Sequence, residues 1–504
     1  MSHYKPDPNK TVNLTIDGLA VTVPEGTRIL EAAQKVGIKI PTLCDHPDLC
    51  KRAVCRLCVV ECDGRRKLSA ACATDVSEGL SVVTYNERIV SIRKMVLELV
   101  LANHPLECLT CVRSKHCELQ TLAANYGIRE PAFRHDPQSR RPPVSESKTL
   151  VRDMGKCVKC GRCVETCQEV QTVRNLNSSH RGVHYDISVP YNQSLEDGDC
   201  VFCGQCAKYC PVGAIYEYEQ TTEAWSVLNN KDRFVAAQLN PTFCELFDEA
   251  LNLPPGTISP GKVITAMKSI GFNKVFNKNI FTDAVAVGRS RALMDRIAKG
   301  GKLPLVEGCS QGWTRFAKKF YPDLMEHVMP YNPPQQMFGG MIHLLYPESI
   351  EMSAAGITTI SIEPCIAKKF RVQHDEHPFN DVDMVLTVKE LALMFNQASI
   401  NVAGLPETPF DVLMGGYGKT GEEMPWWKEF SAVPGQEGIE EAVITINGTK
   451  MKFLIAHGLV SAHKIMESIR DNKCDAAFVE IKSCPGSSLC TTTSFRLIDA
   501  LHKL

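Results

Sequence analysis

Two cysteine runs carry the most explicit chemistry in this chain: Cys157-x2-Cys160-x2-Cys163-x3-Cys167, and then Cys200-x2-Cys203-x2-Cys206-x3-Cys210, closed by Pro211. Thiolates at this spacing let a short loop wrap a cubane of iron and sulfide. One helical turn then carries the fourth sulfur to the other cluster of the pair. The expected sets are therefore Cys157, Cys160, Cys163 and Cys210 on one [4Fe-4S] cluster, and Cys200, Cys203, Cys206 and Cys167 on the second. A zinc site would explain neither the cross-paired fourth Cys nor its proline. The implied chemistry is the transfer of single electrons.

Two further sets lie upstream. Cys44-x10-Cys55-x2-Cys58-x13-Cys72 supplies four thiols, enough for one [2Fe-2S] cluster. His104-x3-Cys108-x2-Cys111-x5-Cys117 supplies an imidazole and three thiols for a third [4Fe-4S] cluster. A neutral imidazole in place of a thiolate makes such a cluster less negative and tends to raise its potential. Seventeen of the 23 cysteines precede residue 211, and fifteen of those fall into these four sets. Cys50 and Cys62 lie outside the sets and read as ordinary thiols, Cys244 and Cys474 as core residues, and His116 as a surface residue.

The elements that hold these ligands are legible in outline. Val12, Leu14 and Ile16 alternate with polar residues, as do Val21 and Val23, and Asp17-Gly18 between them signals a hairpin. Thr27 then reads as the cap of a helix carrying Ile29, Leu30, Ala33 and Val36. A hairpin feeding a helix and a Cys loop resembles the β-grasp fold of plant-type ferredoxins. Its Cys spacing is similar to the version in the large iron–sulfur subunit of respiratory complex I. A helical stretch ending at Ala102 precedes His104, and a Pro- and Arg-rich stretch, Pro131–Pro143, links to the two-cluster module.

Whole-chain properties exclude several classes. Lys+Arg 56 against Asp+Glu 57 leaves a formal charge of -1, with no basic field for nucleic acid. The opening MSHYKPDPNKTVNL has no apolar signal-peptide core, and the apolar run Met95–Ala102 is broken by Glu98 and too short to span a bilayer. Cysteines at metal-ligand spacing without a signal point to the reducing cytoplasm rather than to disulfides.

Four modules in this order resemble the N-terminal part of the large complex I iron–sulfur subunit and the accessory half of the [FeFe]-hydrogenase catalytic subunit. The rest of the chain separates the two. Gly271-Phe272-x-x-Val275-Phe276, Gly312-Trp313-x-x-Phe316, Tyr321-Pro322, Pro334-Gln335-Gln336-Met337-Phe338-Gly339, Pro364-Cys365-x-x-Lys368-Lys369 and Gly438-Ile439-x-Glu441-Ala442 are similar to the hydrogenase catalytic domain. The expected fold is a set of α+β ferredoxin modules followed by a two-lobed α/β domain. The expected divisions are a β-grasp [2Fe-2S] module at 1–88, a small [4Fe-4S] module with one histidine and three cysteine ligands at 89–130, a two-[4Fe-4S] ferredoxin domain at 131–225, and the hydrogenase-like domain at 226–504. Runs such as Thr358–Ile362, Asp383–Thr387 and Ala476–Ile481 read as the strands of that last domain.

The resemblance implies four Cys around an active-site cubane, one of them bridging to a diiron unit. Here the first ligand position is Ser310, with Cys309 at the position of the proton-relay thiol. The second loop keeps Cys365 and Lys368, but carries Glu363 for the family's Met and Arg371 for its later Glu. In the third loop Cys484 matches a ligand, while the bridging position is Ser488. The carboxylates that feed protons in the family stand as Arg289 and Ala292. A Ser hydroxyl ligates iron poorly because its alkoxide is hard to form, and neither Ala nor Arg can relay protons at neutral pH. No catalytic residue is therefore assigned, and an intact six-iron active-site cluster is not expected. Two readings of the pocket stay open: a plain fourth [4Fe-4S] cluster on Cys309, Cys365, Cys484 and Cys490, or an apo domain with buried cysteines.

Gly416-x-Gly418-x-x-Gly421 follows the strand-like Phe410–Met414, but Pro425 and Trp426-Trp427 stand where a phosphate-binding helix should begin. It reads as a glycine-rich loop, so no cofactor beyond the clusters is expected. The resulting expectation is an electron-transfer subunit of a cytoplasmic, multi-subunit, NAD(P)H-linked and electron-bifurcating flavoprotein oxidoreductase. The resemblance implies a flavin/NADH subunit and a small [2Fe-2S] subunit as partners, with ferredoxin and a separate catalytic subunit such as a formate dehydrogenase or another hydrogenase. The alternatives are a divergent [FeFe]-hydrogenase and a redox sensor, although no output module is evident in the 504 residues.

Overall fold

The computed structural model describes residues 7, 10–64, 67–133, 143–146, 148–308, 310–329, 334–348, 350–374, 382–412, 430–446, 448–484 and 501. Cys309, Ser488, Cys490, most of the Pro/Arg-rich linker and the glycine-rich loop at 416–421 lie outside the described residues.

At the N-terminus the alternating Val12, Leu14 and Ile16 turn inward on strand Thr11–Ile16, and Val21 and Val23 do so on Leu19–Pro24. The two strands pair antiparallel around Asp17 and Gly18, both at positive φ (50° and 84°), the geometry whose twist suits a two-residue hairpin. They belong to a five-stranded sheet ordered Leu19–Pro24, Thr11–Ile16, Ser81–Val83, Val59–Cys62, Ser69–Ala70. Helix Ile29–Lys35 buries Ile29, Leu30, Ala32 and Ala33 against it. Thr27 is not its cap: the cap position is Arg28, and the Thr27 hydroxyl donates to Pro24 O at 2.6 Å instead. The end of the preceding strand offers Thr27 a closer acceptor than the helix offers a donor.

The ferredoxin region is built on a three-stranded antiparallel sheet ordered Ile215–Glu217, Leu150–Arg152, Val144–Glu146. Its two Cys runs share one local design. Gly161 (φ 80°) and Gly204 (φ 74°) each stand between the second and third Cys and start the short helices Arg162–Glu165 and Gln205–Tyr209. A left-handed turn there is cheap only for glycine. It reverses the loop so that the third Cys of each run enters the helix, while Cys167 follows on the widened turn Thr166–Val170.

Among the described residues the C-terminal part contains two sheets. One is fully parallel, in the order Lys274–Asn277, Phe234–Leu239, Ile357–Glu363, Met384–Thr387. The other is mixed, in the order Leu305–Gly308, Phe478–Lys482, Thr449–His457, Ile439–Ile446, Ser431–Ala432, with the first three strands parallel. The expected strand runs are thus present as Ile357–Glu363, Met384–Thr387 and Phe478–Lys482. Of Phe410–Met414, Asp411 makes a single parallel bridge to Phe276. Among the described residues no helix is long and apolar enough to cross a membrane.

The ferredoxin and C-terminal parts share cores. Val173 and Val201 pack among Trp313, Phe316 and Ile481, while Ile366 and Phe370 pack among Phe202, Ala207 and Ile215. Phe202 and Phe370 stack at 4.4 Å, and the Arg315 guanidinium lies over both rings at 5.6 and 5.1 Å. Arg315 also donates to Cys200 O at 2.6 Å and to Glu196 O, and Lys319 donates to Gly198 O at 2.7 Å. Truncating Phe370 removes the stack and opens a cavity inside this joint. Phe370→Ala should destabilise the protein by about 3–5 kcal/mol, seen as a lower midpoint in anaerobic urea unfolding. An unchanged midpoint would place the joint's stability elsewhere.

Candidate functional site

Cys44, Cys55, Cys58 and Cys72 lie near one another. Cys44 hydrogen-bonds Cys55, and Cys58 and Cys72 share a thiol–sulfur hydrogen bond at a sulfur–sulfur distance of 3.3 Å. The thiol–sulfur hydrogen bond in each pair holds Cys55 down to about 6 and Cys58 to about 7, and pushes Cys44 and Cys72 well up. Cys50 is exposed and Cys62 is buried in the module core.

The ferredoxin thiols fall into two neighbouring groups. Burial pushes Cys157 and Cys160 up to about 12, and each also feels Cys210. Cys163 is driven well above its ordinary value by burial, then by Cys157, Cys160 and Cys210. In the second group burial pushes Cys200 to about 12, with Cys167 as a repelling neighbour. Burial likewise raises Cys203 and Cys206, and both feel Cys200 and Cys167. Backbone N–H groups point at sulfur at 3.4 Å, from Lys159 to Cys157, Leu176 to Cys167 and Phe202 to Cys200. Buried thiols that repel one another as thiolates, yet receive N–H donors, fit a bound cationic iron centre.

Cys117 is raised by burial and then feels Cys111 and Cys108, so the three thiols of this set lie together. His104 is half-buried just beyond helix Glu87–Ala102, its backbone N–H donating to Leu101 O at 3.0 Å. His116 is exposed. The modules are stitched tightly: Arg162 reaches Glu118 at 2.6 Å and Asp45 O at 2.8 Å, and the Tyr209 hydroxyl donates to Asp48 at 3.2 Å. A Cβ on Gly213 would lie 2.9 Å from Cys111 Sγ.

Three of the four sets are also neighbours in turn. Cys160 feels Cys44, Cys163 feels Cys206, and Cys203 feels Cys365. The last step enters the C-terminal domain. There Ser310, Cys365 and Cys484 each follow the carboxyl end of a parallel strand: Leu305–Gly308, Ile357–Glu363 and Phe478–Lys482. Open α/β sheets gather ligands at such ends.

These loops carry ion pairs that the sequence analysis did not anticipate. Lys278 Nζ donates to both Glu363 carboxylate oxygens at 2.6 and 2.7 Å, and Lys368 Nζ lies 3.7 Å from the same carboxylate. Burial drives Lys278 down to about 8 against the pull of Glu363. Burial acts to raise Glu363, but Lys278 and Lys368 outweigh it and hold the carboxyl below its ordinary value. Arg289 pairs with buried Glu307 at 2.5 Å. Ser310 Oγ lies 3.1 Å from Ser483 Oγ, so the hydroxyl at a ligand position has a protein partner. Glu363 and Arg289 stood out in the sequence, but their partners Lys278 and Glu307 did not, because ion pairing between distant strands and helices leaves no local spacing. Cys244 sits in a core cluster and Cys474 packs against another.

Residues 233–490 match the family described as iron only hydrogenase large subunit, C-terminal domain. Residues 9–87 match a 2Fe-2S iron–sulfur cluster binding domain, 93–132 the NADH-ubiquinone oxidoreductase-G iron–sulfur binding region, and 147–216 the ferredoxin-like domain of NADH-quinone oxidoreductase subunit 3. Domains that bind 2Fe-2S and 4Fe-4S clusters are therefore present. The chain is similar to NADP-reducing hydrogenase subunit HndD of Solidesulfovibrio fructosivorans, 34% identical over 95% of this chain and 88% of the relative. Iron hydrogenase 1 of Clostridium pasteurianum is 29% identical over 94% of this chain and 87% of its own length. An NADH-quinone oxidoreductase chain of Rhizobium meliloti is 35% identical over 43% of this chain and 25% of its own length.

The Lys278–Glu363 pair generates a test. Removing one partner leaves a buried charge, whereas removing both leaves apolar surface. Lys278→Met should cost about 3–5 kcal/mol in anaerobic urea unfolding, and Lys278→Met with Glu363→Met should recover most of it. Additive losses would show that the pair is not coupled.

Proposed function

This chain belongs to the iron-only hydrogenase large-subunit family, and we propose that within it the protein relays electrons without itself turning over hydrogen. It would serve as an iron–sulfur subunit of a cytoplasmic, NAD(P)H-linked, electron-bifurcating flavoprotein complex. The observation that carries this reading is the run of neighbouring thiols from Cys44 through the two ferredoxin sets to Cys365, beside which Lys278, Glu363 and Lys368 pair. Lys368, which this loop shares with the family pattern, is here drawn towards a buried carboxylate.

The proposed ligands are Cys44, Cys55, Cys58 and Cys72 for one [2Fe-2S] cluster, and His104, Cys108, Cys111 and Cys117 for a [4Fe-4S] cluster. The two crossed sets, Cys157/Cys160/Cys163/Cys210 and Cys200/Cys203/Cys206/Cys167, would hold two more. Bound there, clusters would supply one-electron redox chemistry. The chain's own residues bury the thiols, direct N–H groups at sulfur and hold the sets in sequence. Cys365 and Cys484, with Cys309 and Cys490 as further donors, would hold a plain [4Fe-4S] cluster as the last stop.

Partners follow by analogy with the relatives: an NADP-reducing hydrogenase subunit and a chain of NADH-quinone oxidoreductase are both named for pyridine-nucleotide enzymes. A flavin/NADH subunit and a small [2Fe-2S] subunit are the proposed neighbours, with ferredoxin and a separate catalytic subunit, such as a formate dehydrogenase or a second hydrogenase, completing the reaction. Purification as a lone monomer from the native host would count against this assembly.

Iron content discriminates the readings. The matured protein should hold about eighteen iron atoms per chain, falling to about fourteen in Cys365→Ala. About fourteen in both would make the C-terminal domain a scaffold alone. About twenty, with infrared bands from CO and CN⁻, would instead indicate a hydrogenase.

A further inference from the structure

We propose that Gln205 is a positioning residue that ties the second ferredoxin ligand loop to Cys484, setting the electrostatic state of that sulfur and forming the contact through which the ferredoxin module and the C-terminal pocket exchange electrons. The inference rests on the relay reading above and assigns a specific side chain to its last step.

Gln205 stands inside the second motif, between Cys203 and Cys206, as the first residue of the short helix begun by Gly204. It is 7% exposed. Its Nε2 donates to Cys484 Sγ at 3.3 Å, across 279 residues of sequence. Its Oε1 is buried without a hydrogen-bond partner among the described residues. An N–H directed at sulfur suits a sulfur that serves as a metal ligand.

The surroundings hold this contact rigidly. Gln171, also from the ferredoxin module and 1% exposed, donates at 3.2 Å to the carbonyl of Ser483, the residue before Cys484. Ser310 braces the Ser483 hydroxyl at 3.1 Å. On the other side of the loop, a Cβ on Gly204 would lie 2.5 Å from Ile366 Cδ1, and Ile366 adjoins Cys365. Both pocket cysteines are therefore approached by the same ligand loop: Cys365 through packing at Gly204, Cys484 through a hydrogen bond from Gln205. A route from Cys206 to Cys484 needs one side chain and one hydrogen bond.

A hydrogen bond to a ligating sulfur stabilises the more negative, reduced state, so losing it lowers the potential. Gln205→Glu keeps the shape, removes the donor and adds negative charge; Gln205→Leu removes the donor alone; Gln205→His retains an N–H. In full-length, anaerobically matured protein, redox titration followed by electron paramagnetic resonance should show one cubane signal shifted to lower potential in Gln205→Leu. The shift should be larger in Gln205→Glu and smaller in Gln205→His, with iron content and the remaining signals unchanged. Identical midpoints in wild type and all three variants at full iron content would overturn the inference and leave Gln205 as packing. Cys365→Ala separates the two readings. If it loses about four iron atoms while the Gln205 variants do not shift, only this inference fails. If it loses none and nothing shifts, the occupied-pocket reading fails with it.

Discussion

The constraint on which this structure turns is electrostatic: groups of thiols are held close together away from water, where their ionised forms repel and are poorly solvated. Cys163 and Cys206 show it most fully, each buried and each facing several other sulfurs. Such an arrangement is unfavourable for bare thiolates and favourable around a cation that compensates them. The left-handed glycines, the short helices and the backbone N–H groups aimed at sulfur all serve to hold that geometry. The apolar cores then lower the dielectric around it. Folding of this half and acquisition of iron should be one coupled event.

The same reasoning explains why the far end differs. In the C-terminal domain the three loops still leave the carboxyl ends of parallel strands, which is a property of topology and survives side-chain change. What occupies the space between them is set by individual residues. Glu363 recruits Lys278 from one side and Lys368 from the other, and Glu307 recruits Arg289. A lysine engaged with a buried carboxylate has little freedom to address a ligand. Charge pairing thus stands beside Cys365, two residues from Glu363.

How much of this was legible in the sequence depends on the range of the interaction. The ligand sets were readable because a cluster imposes fixed spacing along the chain, and the Val12–Ile16 alternation and Asp17-Gly18 turn were readable for the same local reason. Thr27 misled because its hydroxyl had two acceptable uses and the strand end was nearer. Gln205, Gln171 and Arg315 were invisible. Each acts on a partner more than a hundred residues away, and nothing in its own neighbourhood marks it. Lys278 was missed likewise, although Glu363 at an expected apolar position hinted that a cation must be buried near it.

Arg315 and the Phe202–Phe370 stack bear on why such a domain persists. Val201 and Phe202 are almost fully buried, and the C-terminal domain supplies much of what covers them. A chain shortened after the ferredoxin module would present these side chains, beside a cluster-binding loop, directly to water. The truncated protein would be sticky and its cluster open to oxygen. Whatever chemistry the C-terminal domain performs, its bulk is needed to cover this surface.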